Sequence, residues 1–136
     1  MTVGIVVVSH SRALAEAAVE LARQMLPGRE LAIEVAAGTE DGGLGTDAMA
    51  VSAAITAADS GEGTVVLMDL GSAVLSAETA LEFLDDDVRE RVTLSSAPLV
   101  EGLVGAVVVA AGGAPRAQVA AEAARGLAPK EAQLRG

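Results

Sequence analysis

The sequence predicts an α/β protein: a single domain over residues 1–136 with an open, mainly parallel sheet and helices on both of its faces. Two observations carry this reading. Apolar runs of strand length alternate with segments of helical period in the order β-α-β-α. The strand runs are also unbroken Val, Leu and Ile, as expected where right-handed crossovers lay helices over both sides of a parallel sheet. The length, 136 residues, suits one domain with one sizeable core.

The elements follow in order. VGIVVVS (3–9) is a continuous apolar run and the first strand. RALAEAAVELARQML (12–26) follows with Leu14, Ala18, Leu21 and Met25 at helical spacing, and Pro27-Gly28 is expected to end that helix. LAIEVAA (31–37) is the second strand, AGTEDGGLGTD a long Gly-rich loop, and AMAVSAAITAADS (48–60) the second helix. TVVLMDLGS (64–72) reads as a third buried strand and AVLSAETALEFL (73–84) as a third helix, with Asp85-Asp86-Asp87 a solvated turn at its end. ERVTLSS (90–96) is the fourth strand. From Pro98 the tail is helical in character, broken at AAGGAP. Within it, GLVGAVVVAAGG is apolar around its whole circumference, whereas a helix lying on one sheet face needs only a stripe. The extra surface predicts a homodimer, with Gly102 and Gly105 permitting close approach of the second copy; the alternative is that the segment is sandwiched between the sheet and the final helix, PRAQVAAEAARGL, within one subunit.

Composition narrows the function. There are 19 Asp and Glu against 9 Lys and Arg, a net charge of −10, and the only aromatic residue is Phe83. A surface of that sign repels phosphodiester backbones and anionic lipid, and bases have almost nothing to stack on, so neither nucleic acid nor a membrane is an expected partner. The chain has no Cys, which excludes thiolate nucleophiles, disulfides and thiolate metal sites and is compatible with a cytoplasmic setting. PLVEGLVGAVVVAAGGA is the most apolar stretch, but it contains Glu101 and is too short to span a bilayer. No signal peptide is read at the N-terminus.

In an open parallel sheet the active crevice lies beyond the C-terminal ends of the strands, where successive crossovers diverge. With the first strand central and flanked by the second and third, that point falls between Ser9-His10-Ser11 and Asp69-Leu70-Gly71-Ser72. His10 is the only histidine in the chain. A neutral imidazole attacks through one ring nitrogen only if the other holds the proton, and a carboxylate at Asp69 would fix tautomer and orientation together. The loop GTEDGGLGTD lacks the lysine of a nucleotide P-loop. Its backbone N–H groups, Gly45 among them, are candidates to hold the oxygens of a single phosphoryl group, together with Thr46 near a helix start. Gly71 and Ser72 offer a second helix start. On position alone, His10 is as readily a packing or capping residue, Asp69 a turn former, and the loop a plain surface loop.

Four blocks, VSHSRALAEA, AGTEDGGLGTDA, VVLMDLGSAVLSAETALEFL and SAPLVEG, occur in an order and spacing that resembles the mannose-type enzyme IIA family, in the branch serving phosphoenolpyruvate-dependent dihydroxyacetone kinase. The likeness runs from Thr2 to about Leu127, and the MDLGSA block separates this branch from the sugar-transporting members. It implies a phosphoryl relay. The residue matching the phosphoryl acceptor is His10, and the one matching its carboxylate partner is Asp69. The implied donor is the small phosphocarrier protein HPr. The implied acceptor is ADP, held with magnesium on the nucleotide-binding subunit of the kinase, so this chain itself is expected to bind no cofactor and no metal. Some family members continue into HPr-like and enzyme I-like domains; a chain complete at Gly136 would draw on separate proteins instead.

Two readings from other classes stand beside this one. A response-regulator receiver also places an Asp after its third strand, but it needs an acidic pair after the first strand to bind magnesium, and that place here reads Ser9-His10-Ser11. A non-catalytic small-ligand or interaction module of similar architecture would use His10 only as polar lining.

Overall fold

The computed structural model describes residues 1–26, 28 and 30–136. Four parallel strands, β1 (Gly4–Ser9), β2 (Ile33–Ala37), β3 (Thr64–Met68) and β4 (Val92–Leu94), form one sheet in the order β2-β1-β3-β4. The central strands β1 and β3 are buried along their whole length, which is why both read as unbroken apolar runs. Alternate residues of each strand feed opposite layers. Ile5, Val7, Val65 and Leu67 pack with α1 (Arg12–Arg23), α5 (Leu99–Ala111) and α6 (Arg116–Ala124). Val6, Val8, Val66 and Met68 pack under α2 (Ala48–Ala58) and α3 (Ser72–Ala80). Short helices α4 (Asp86–Arg89) and α7 (Ala128–Arg135) complete the set. Small residues bring these layers close: a Cβ on Gly4 would lie 2.2 Å from the carbonyl oxygen of Ala58 at the end of α2.

Strand register is what builds the functional end. Val8 pairs with Met68, and Ser9 pairs with Ala37 on the other side. The ladder continues one step further, the Asp69 N–H donating to the Val8 carbonyl at 3.0 Å. His10 and Asp69, the residues just past the two central strands, therefore emerge side by side.

Several boundaries differ from the sequence reading. Helix α1 ends at Arg23, and Met25 and Leu26 continue as tight turns whose N–H groups bond to the Ala22 and Arg23 carbonyls. Pro27, expected as the stop signal, lies outside the described residues. Strand β3 ends at Met68 because Asp69 turns its carboxylate back on the His10 segment. Asp86 and Asp87 open the short helix α4, where acidic residues in a first turn suit the helix dipole, so the acidic run starts an element as well as ending one. Gly102 and Gly105 are used within the chain. A Cβ on Gly102 would lie 2.7 Å from Ala97 Cβ and 3.1 Å from the Ala123 carbonyl oxygen, and the nearest groups to Gly105 belong to Glu122. The close approach they permit is that of α6 to α5. Among the described residues no helix is long and apolar enough to cross a membrane.

One buried group is out of balance. The Thr64 hydroxyl, at the start of β3, is fully buried and has no hydrogen-bond partner among the described residues. Replacing it with a methyl of nearly the same shape removes an unsatisfied polar atom, so Thr64→Val should leave stability unchanged or raise it by about 1 kcal/mol. Urea unfolding measures this, and a loss of stability would mean that the hydroxyl is solvated.

Candidate functional site

The stretch Ser9-His10-Ser11 gives each residue a separate task. Ser11 caps α1, its hydroxyl oxygen accepting the Leu14 N–H at 3.1 Å. Ser9 is buried and donates its hydroxyl to Asp69 Oδ2 at 2.9 Å, while accepting the Ser11 N–H at 3.1 Å. His10, between them, is held at its backbone and its ring. Its N–H donates to Asp69 Oδ2 at 2.9 Å, and its carbonyl accepts the Gly45 N–H at 2.9 Å.

The ring is fixed by the same carboxylate. Nδ1 lies 2.9 Å from Asp69 Oδ1, an oxygen that also accepts the Leu70 N–H at 2.6 Å. Burial is the largest influence on the Asp69 carboxyl and pushes its pKa up. The N–H groups of His10 and Leu70, then the Ser9 hydroxyl and the His10 ring, together outweigh it and hold the pKa below its ordinary value of 3.8. An ionised carboxylate only accepts, so Nδ1 carries the ring proton. Nε2 then presents its lone pair, which faces the Ser72 hydroxyl at 2.7 Å. The His10 side chain is 30% exposed and that of Asp69 11%, so the ring reaches the surface while the group that orients it does not.

Helix α3 supplies the surroundings of Nε2. It begins at Ser72, after Gly71 at φ +52 and ψ −114, a conformation open to glycine. No side chain caps this helix, and among the described residues the N–H groups of Gly71 and Ser72 have no hydrogen-bond partner. They lie at a helix N-terminus beside His10 Nε2, a suitable place for anionic oxygens. Thr46 faces the same point: its hydroxyl lies 3.5 Å from the Ser72 hydroxyl, 3.3 Å from the Ser72 carbonyl oxygen and 2.7 Å from the Ser76 hydroxyl. Capping of α2 falls to Asp47, which accepts the Met49 N–H at 2.9 Å, so Thr46 is not the cap.

The Gly-rich loop departs from expectation. Its N–H groups are largely spent on the chain itself: Gly38 on Ser9, Gly42 on Thr39, Gly43 on the side chains of Thr39 and Asp41, and Gly45 on His10. Gly45 thus positions the His10 backbone and offers no free donor to an anion. His10, Asp69, Thr46, Gly71 and Ser72 are brought together as anticipated. Ser9 and Ser76 were missed, although Ser9 is visible as a polar residue ending an apolar strand, and Ser76 stands one helical turn after Ser72 in SAVLS.

Comparison with known proteins gives one consistent answer. The family described as EIIA-man, PTS system fructose IIA component, matches residues 4–120. A protein of Pantoea ananatis named PEP-dependent dihydroxyacetone kinase, phosphoryl donor subunit DhaM, is 49% identical over 134 residues, covering 97% of this chain and 28% of that protein. Its namesake in Escherichia coli is 46% identical with the same coverage. The chain therefore spans little more than a quarter of the length of these two relatives. A Listeria innocua protein named PEP-dependent dihydroxyacetone kinase 2, phosphoryl donor subunit DhaM, is 42% identical over 78% of this chain and 84% of its own length. A crystal structure described as unknown function protein EF1359 superposes with a TM-score of 0.83 at 38% identity, covering 92% of this chain and 95% of that one.

The geometry sets the protonation of the ring. Nitrogen-15 shifts of His10 in the resting protein should report a proton on Nδ1 and a lone pair on Nε2. Asp69→Asn should shift the tautomer balance toward Nε2–H by about tenfold, the equivalent of one hydrogen bond of about 1.4 kcal/mol. The depressed carboxyl stabilises the fold above its unfolded value of 3.8, and that contribution is lost as the pH falls through the lower folded value. The wild-type tautomer should therefore persist into acid wherever the ring stays neutral; an Nε2–H signal at neutral pH would contradict the arrangement.

Proposed function

The chain belongs to the EIIA-man family, and from that membership we propose that it is a phosphoryl carrier for a dihydroxyacetone kinase, taking the phosphoryl group on Nε2 of His10. The observation that carries this reading is the Asp69–His10–Ser72 line, with 2.9 Å on the Nδ1 side and 2.7 Å on the Nε2 side. It leaves one ring nitrogen basic and aimed at the uncapped end of α3.

The Nε2 lone pair attacks phosphorus on the donor, for which the reading names HPr. The N–P bond of the donor breaks as the new one forms, and the donor nitrogen keeps the electron pair. The Ser72 hydroxyl gives up its bond to Nε2 and turns to a phosphoryl oxygen. The N–H groups of Gly71 and Ser72 and the Thr46 hydroxyl take the remaining oxygens in this scheme. Because Nδ1 keeps its proton, the phosphorylated ring is cationic, and Asp69 neutralises it. In the second step an oxygen of ADP, bound with magnesium on the nucleotide-binding subunit, attacks phosphorus, and Nε2 recovers its pair. Asp69 serves both steps by holding the ring, never by accepting the phosphoryl group.

Incubation with phosphoenolpyruvate, enzyme I and HPr should add one phosphoryl mass to the protein, labile to acid and stable to base. His10→Ala should abolish it with the fold retained. Label that persists in that variant, or survives acid, would refute the reading.

The same reading includes a pair of subunits, for which the support is the apolar surface that α5 keeps at Val100 and Val108, 38% and 49% exposed. Sedimentation at micromolar concentration should give the dimer mass; a monomer persisting as concentration rises would remove this part.

A further inference from the structure

Proton counting around His10 reaches one hydroxyl that the relay scheme does not use. Asp69 accepts from His10 Nδ1, the His10 N–H, the Leu70 N–H and the Ser9 hydroxyl, so it offers no proton to anything. The ring proton is therefore on Nδ1, and the single proton of Ser72 is committed to Nε2. From there outward the Ser72 hydroxyl can only accept, and the hydroxyl facing Ser72 is that of Thr46, 3.5 Å from its hydroxyl and 3.3 Å from its carbonyl oxygen. Thr46 has one proton too. Its shortest contact, 2.7 Å, is to Ser76, one turn along α3 and half-buried.

Either hydroxyl of that last pair is able to donate. If Thr46 donated to Ser76, its proton would point away from Nε2 and Ser72 would lack a donor. If Ser76 donates to Thr46, every bond runs in one sense, from Ser76 to Thr46 to Ser72 to Nε2, and the Thr46 and Ser72 hydroxyl oxygens are each used once as donor and once as acceptor. We infer that Ser76 is a positioning residue: by donating to Thr46 it keeps the Thr46 proton turned toward Ser72 in the resting site and toward the phosphoryl oxygens once the group is on His10. Ser76 itself touches no reacting atom. This inference deepens the proposed relay and rests on it for its kinetic consequence, but the proton order in the resting protein stands apart from it.

A double-mutant cycle on Thr46→Val and Ser76→Ala tests the assignment, with two readouts. In unphosphorylated protein, the His10 Nε2 nitrogen-15 shift should move in the same direction in both single variants and no further in the double variant. In phosphoryl uptake from phospho-HPr, each single variant should be about three- to tenfold slower in kcat with KM for the donor unchanged, the loss of one hydrogen bond's worth of orientation. The double variant should match Thr46→Val alone, and Ser76→Thr should restore the rate. A Ser76→Ala variant with wild-type Nε2 shift, or effects that add across the cycle, would overturn the inference. A wild-type protein that takes up no phosphoryl group would instead overturn the relay, leaving the shift measurement to decide the role of Ser76.

Discussion

The functional end of this molecule depends on the Asp69 carboxylate and the four hydrogen bonds that converge on it. Two come from the backbone, at His10 and Leu70, and two from side chains, at Ser9 and His10. Removing the charge weakens the side-chain tie between Asp69 and the Ser9-His10 segment, the hold on the tautomer of the only imidazole, and the orientation that aims Nε2 at α3, while the backbone bond from Asp69 to Val8 remains. Burial alone would favour the neutral acid; the donors reverse that preference. The backbone bonds also make the carboxylate insensitive to the ring. In the proposed relay those bonds would hold it in place whether His10 is neutral or cationic, a constancy that a cycle between the two requires.

Parallel pairing with Val8 opposite Met68 is the condition for this convergence. That β1 and β3 are neighbouring parallel strands was legible in the sequence, because both are buried on both faces and read as unbroken apolar runs, whereas the register was not. Their C-terminal neighbours, His10 and Asp69, were legible for the same reason: a polar residue directly after such a run must sit at the rim of the sheet. Legibility fell where a residue's partner lies far along the chain and its own type is common. Ser76 is an ordinary helical serine until the loop carrying Thr46 folds over α3. The Gly-rich loop misled for the opposite reason. Its composition suits an anion cradle, but glycines also let a chain close on itself, and the N–H groups of Gly42 and Gly43 are used in doing so. The glycines of α5 are a similar case, since sequence identifies a close approach without saying which surface approaches.

What remains for an incoming phosphoryl group is then a set of neutral donors, the first N–H groups of α3 and the hydroxyls of Ser72 and Thr46, with a carboxylate behind the ring. Segments 9–12, 38–47 and 69–76 contain Glu40, Asp41, Asp47 and Asp69, and their single Lys or Arg is Arg12, exposed and 3.6 Å from Glu16. A site built to retain a phosphate dianion would gather cations, because charge-assisted bonds are about twice as strong as neutral ones. The opposite composition has a consequence for transfer. On the proposed reading, neutral donors would hold the oxygens in place for an in-line attack, while the ring cation and Asp69 beside it would compensate each other and leave little net charge to trap the group. In the proposed relay the excess of acidic residues would raise the energy of the loaded state further, in the direction that favours passing the group on. If the chain receives and releases a phosphoryl group as proposed, a weak hold of fixed geometry serves both steps, whereas a tight one would speed the first at the expense of the second.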